Sequence, residues 1–108
     1  MNELQRHLPV LEWLKSLNTK EQLMIIKNAN RGLLEVLSAI ALNVIKRNIE
    51  LSARDISKLR KHENSLIRLA QRKHSLATRR KILQRGGFLS GLLSLLPALV
   101  SGVLHSVT

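Results

Sequence analysis

Leu4, Leu8, Leu11 and Leu14 recur at spacings of four, three and three, which returns each of them to one side of a helix turning about 100° per residue. A first helix is therefore expected over residues 2–17, with Pro9 delaying its start or bending it. Thr19-Lys-Glu-Gln22 has the spacing of a capping box and predicts a short second helix carrying Leu23, Ile25 and Ile26. A third helix is predicted over residues 31–47. Its Leu33, Leu34, Val36, Leu37, Ile40, Ala41, Val44 and Ile45 cover more than half its circumference, as in a helix central to a core. Ser52 and Asp55, flanked by Leu51 and Ile56 at staple positions, predict the start of a fourth helix that runs to residue 73. Ser75 then offers an N-cap for a short fifth helix ending at Gly86. Alternating strand patterns and Asn-Gly or Asp-Gly hairpin turns are missing. The expected fold is all-α: one small domain of about four to five helices, plus an apolar C-terminal helical tail.

Charge divides this pattern into three zones. The 108 residues carry 18 Lys and Arg against 7 Asp and Glu, a net charge of +11. Residues 1–45 are nearly neutral, residues 46–85 hold thirteen of the basic side chains, and residues 86–108 hold no Lys, Arg, Asp or Glu. Hence residues 1–45 read as a neutral helical scaffold sharing one domain with a cationic region at 46–85. Residues 86–108 read as a glycine junction and an apolar tail. Such basicity points to a polyanionic partner. The chain has no cysteine, which excludes disulfides and thiolate metal sites. No sustained apolar run precedes Glu12 and Lys15, so no secretory leader is expected.

The cationic zone has a geometry of its own. Arg54, Lys58, Lys61, Ser65, Arg68 and Arg72 fall on one helical line, five cations over about 27 Å at about 1.5 Å per residue. Ile56, Leu59, Leu66, Ile67 and Ala70 fall on the other side. Lys73, Arg79, Arg80, Lys81 and Arg85 carry the positive field into the next helix. A charged stripe opposite an apolar one is commonly just a solvated face. Here acidic partners at i±4 are sparse, so the stripe repels itself. That favours sequence-independent contact with the phosphates of double-stranded DNA. Only Trp13 and Phe88 are aromatic, too few for base stacking along a single strand.

The last zone carries two further features. Phe88 to Val107 is a run of 20 uncharged residues interrupted by Pro97, Gly91 and Gly102. Its Phe88, Leu89, Leu92, Leu93, Leu95, Leu96, Leu99, Val100, Val103 and Leu104 suit a membrane interface, a groove on another protein, or the core of this same domain. Gln84-Arg85-Gly86-Gly87-Phe88 marks the junction. Its glycines read either as a helix cap followed by a flexible joint or as a protease site. His7, His62, His74 and His105 have no cysteine or paired carboxylate at ligand or triad spacing. No catalytic residue, metal or cofactor is expected, and the protein is not expected to be an enzyme.

A basic body ending in Gln84-Arg85-Gly86-Gly87, followed by Phe88-Leu89 and a Leu-rich run, resembles the precursors of adenovirus minor core protein mu. Residues 43–88 are also similar to small basic proteins of adintoviruses and polinton (Maverick)-type elements. The resemblance implies a virion core protein that condenses double-stranded DNA, located in the virion and the host nucleus. It also implies trimming by an adenain-like protease after Gly87, with Gln84 four residues before the cut. Residues 1–45 have no counterpart in the short, arginine-dense mu pattern, and imply an added protein contact. Two alternatives stand beside this reading. One is a membrane-active or tail-anchored viral protein inserting residues 88–107; the other is a capsid-cement or adaptor protein whose tail docks on capsid protein.

Overall fold

A computed structural model describes residues 3–46, 51–71 and 73–98, which form seven α-helices and no strand. They are α1 (Glu3–Ser16), α2 (Thr19–Lys27), α3 (Arg31–Ile45), α4 (Ala53–Arg60), α5 (Glu63–Ala70), α6 (Leu76–Gly86) and α7 (Leu89–Leu93). The all-α expectation holds.

Helix α1 keeps Pro9 in its interior, where the ring removes a backbone donor at a cost of about 3 kcal/mol. The helix neither starts late nor stops there, because Leu11 and Leu14 beyond the proline are completely buried. Each contributes about 1.5–3 kcal/mol when taken from water. Helix α2 is capped one residue earlier than the Thr19 pattern predicts. Asn18 Oδ1 accepts from the Glu21 amide at 2.8 Å, and the Asn18 amide donates to Glu21 Oε1 at 3.2 Å. The shift leaves Gln22 outside the cap, and it is buried instead. Its Nε2 donates to the carbonyls of Leu14 and Leu17, and its Oε1 accepts from Ser90 Oγ at 2.9 Å. Asn30 caps α3, whose Leu33, Leu34, Val36, Leu37, Ile40, Ala41 and Val44 are all buried, as expected of a central helix.

The long fourth helix predicted over residues 52–73 is two helices, α4 and α5, separated at Lys61-His62. Ser52 opens α4 by accepting from the Asp55 amide. The buried face also differs from the predicted one. Leu59 and Leu66 point inward as predicted, but Leu69 is also fully buried, whereas Ile67 is 36% exposed. Helix α5 lies along α3 in the most extensive helix–helix contact, and α6 packs on α2, α3 and α5. Ser75 caps α6 as predicted, accepting from the Thr78 amide at 3.1 Å.

Over most of its described length, the apolar run takes the third of the places its sequence allows, the core of the same domain. Phe88, Leu89, Leu92, Leu93, Leu95 and Leu96 are each no more than 3% exposed and belong to the same core cluster as α1, α3 and α6. Helix α7 packs against α1 and α6. A segment without charge suits a partner surface, and it equally suits a position enclosed on all sides; the second physics prevails here. Burying six such side chains contributes on the order of 9–18 kcal/mol as an upper bound, which is comparable to the whole stability of a small domain, about 5–15 kcal/mol. Leu99, Val100, Val103 and Leu104 lie outside the described residues.

Candidate nucleic-acid interface

The outward faces of α4, α5 and α6 decide which cations can meet a ligand. Arg54, Lys58 and Lys61 are exposed along α4 and its end, Arg68 on α5, Lys73 in the following turn, and Lys81 and Arg85 on α6. Arg72 lies outside the described residues. Because the chain breaks at Lys61-His62, the single 27 Å line expected from the sequence does not form. Five of these seven exposed cations line two grooves instead; Arg54 and Lys73 line neither.

The first groove runs between α5 and α6. Ser65 and Arg68 line one wall, with Thr78, Lys81, Ile82 and Arg85 on the other and Gly86 at the end. Residues 78, 81, 82 and 85 recur at the three- and four-residue spacing that shares a helix face. The second groove runs from the end of α4 to α7, where Lys58, Lys61 and His62 face Phe88, Ser90, Gly91 and Ser94. The two grooves meet at Gly86 and Gly87, one residue in each. Neither is lined by Asp or Glu. Glu63 lines a different, mainly apolar groove together with Arg60, Val44, Ile45 and Leu51.

Two of the predicted phosphate contacts have structural work of their own. Arg79 is 6% exposed. It stands three and four residues before the buried Ile82 and Leu83, so the helix turns it inward. That spacing was readable in the sequence. Arg80 donates from Nε and Nη2 to the carbonyl of Ala29, at 2.9 and 2.7 Å. The guanidinium fork thereby ties α6 to the α2–α3 connection and satisfies a carbonyl just past the end of α2. Conversely, Thr78 lines the first groove without having been singled out, and Gly86, expected as a junction residue, lines its end. The available signal was the short connection between α5 and α6, residues 71–75, which brings neighbouring helices back alongside each other.

The junction at Gly86-Gly87 is built for packing. A Cβ on Gly86 would overlap the Phe88 ring, which folds back over the last turn of α6. Gly87 takes φ of 69°, the left-handed conformation that glycine adopts without steric cost. The Phe88 ring in turn lies 6.0 Å from that of His62, and Phe88 itself is buried. An extended, accessible protease substrate spanning Gln84 to Phe88 is therefore not what the fold presents. Gly86 is helical and the residue after the expected cut is inside the core.

Among the described residues, no group of three or more His, Asp or Glu is placed to hold a metal ion. No helix among them is long and apolar enough to cross a membrane. Val10, Trp13 and Met24 are exposed apolar side chains on α1 and α2, with Trp13 half exposed. No protein-family model matches this chain, and neither a curated protein nor a solved structure matches it.

Proposed function

We propose that this protein binds the phosphate backbone of double-stranded DNA without reading its sequence, in the role of a virion core protein that packages DNA. The observation that carries the reading is the pair of adjoining grooves. Lys58, Lys61, Arg68, Lys81 and Arg85 line them without a facing carboxylate. Holding five like charges on one surface opposes folding through mutual repulsion, and a polyanion relieves that repulsion while releasing its own counterions. Duplex is favoured over single strands because Phe88 is buried and cannot stack on a base, while Trp13 sits on α1, outside both grooves.

The test is a salt titration with the full chain and duplexes of unrelated sequence. About five phosphate contacts give a slope of about −4 to −5 in log affinity against log salt. Changing Lys58, Lys61, Arg68, Lys81 and Arg85 to Ala should flatten the slope while leaving the helical circular dichroism intact. Affinity that stays constant from low to high salt would refute the proposal, as would strong preference for one sequence. In this reading an adenain-like protease meets the Gly87–Phe88 bond only when the fold opens locally.

A further inference from the structure

Resting on the proposal of phosphate-backbone binding, we infer that the groove between α5 and α6 is a discrete seat for a single phosphate group. Arg68, Lys81 and Arg85 would hold it, with the hydroxyls of Ser65 and Thr78. The α4 cations would supply only a diffuse field. The chemistry recognised is a tetrahedral phosphate oxyanion, whether a diester in a duplex or a free phosphate.

The two cation groups differ in how they are presented. On α6, Lys81 and Arg85 stand one turn apart on the face that looks across the groove, and Arg68 reaches in from α5. Two guanidinium-bearing residues and one lysine thus line a single groove from both walls. Forks can engage phosphate oxygens in pairs, whereas an ammonium acts as a point charge. On α4 the exposed Arg54, Lys58 and Lys61 belong to one short helix and its end, with no basic residue on the opposing wall of the second groove.

Thr78 places a second polar group at the groove. Its Oγ1 accepts from Ser75 Oγ at 3.0 Å, and the residue lines the wall beside Lys81 and Ile82. Ser75 Oγ is also the acceptor for the Thr78 amide, so the α6 N-terminus is already capped and the seat does not depend on it. Ile82 is buried beneath the groove and provides an apolar floor, and charge-assisted hydrogen bonds gain strength as water is excluded. The partly buried Ser65, one turn before Arg68 on α5, completes the wall with a second hydroxyl.

Two measurements on the full chain test this. The first is an amide-resolved NMR titration with inorganic phosphate, against sodium chloride at matched ionic strength. Saturable shifts confined to Ser65, Arg68, Thr78, Lys81 and Arg85 are expected at millimolar phosphate. Shifts spread evenly over all exposed cations, or none beyond the chloride control, would overturn the seat. The second compares duplex affinity of two variants that each lose three charges, Arg68→Gln/Lys81→Gln/Arg85→Gln and Arg54→Gln/Lys58→Gln/Lys61→Gln. A diffuse field predicts equal losses, and equal losses would overturn the inference. A seat predicts a loss at least about tenfold larger for the first variant. If the unmodified chain fails to bind duplex at all, the functional proposal falls, and the phosphate titration still decides whether the seat exists. A variant that fails to fold leaves that same titration of the unmodified chain as the deciding result.

Discussion

At the scale of single residues, the molecule assigns unexpected work to ordinary side chains. Gly86 and Gly87 sit side by side but are needed for different reasons. Alanine at 86 would collide with the Phe88 ring, whose burial leaves it little room to move. Gly86→Ala should therefore cost about 1–3 kcal/mol, the range for overpacking. Gly87→Ala meets only the His62 ring, in ordinary contact at 4.0 Å, and bears the left-handed backbone, about 1–2 kcal/mol. Denaturant midpoints for the two variants check the order, which is expected to reverse if Phe88→Leu is made first. Arg80→Ala removes both donors to the buried Ala29 carbonyl and should cost about 1–3 kcal/mol. Arg80→Lys should recover only part of that loss, since an ammonium lacks the fork. From sequence, Arg79 and Arg80 counted as two more surface cations. The inward phase of Arg79 was legible in its spacing from Ile82 and Leu83. The bond from Arg80 to Ala29 was not, because it joins residues 51 apart.

At the scale of elements, two of the four side-chain caps were readable, while that of α2 lay one residue off and that of α3 went unread. Ser52 and Ser75 start their helices where the sequence placed them. Their hydrogen bonds are local, formed within three residues of the cap, and so depend little on the rest of the fold. The division of α4 from α5 was not readable, because Lys61-His62 contains no proline or glycine to announce it. Burial does not demand it either: Leu59, Leu66 and Leu69 are all buried, and their spacing of seven and three residues would share a face on one straight helix as well. Leu59→Ala, Leu66→Ala and Leu69→Ala should each cost about 2–5 kcal/mol. Ile67→Ala should cost under about 1 kcal/mol, since that side chain is a third exposed. Thermal melts of the four variants settle the register of α5. An Ile67 variant as damaging as Leu69 would mean that the helix is rotated from the orientation described above.

At the scale of the whole molecule, the place of the apolar run is what the sequence left open between core, membrane and partner, and the structure puts its described part in the core. Absence of charge over residues 86–108 is a true property of the chain, but hydropathy does not say which apolar surface a segment will cover. That is settled by distant contacts, α7 against α1 and Ser90 against Gln22. A chain truncated after Gly87 is expected to lose cooperative unfolding and most of its helical circular dichroism, because it forfeits six buried side chains at once. A truncated chain that melts sharply, near the parent temperature, would show that α7 is dispensable. The same contacts have a bearing on synthesis. Helix α1 leaves the ribosome first, yet the face it offers to α7 stays uncovered until residues 89–96 have followed it out. Translation at about 5–20 residues per second leaves the first helices waiting several seconds for their last partner. Through that interval the nascent chain carries both its unpaired leucines and all of its positive charge past the RNA of the machine that makes it.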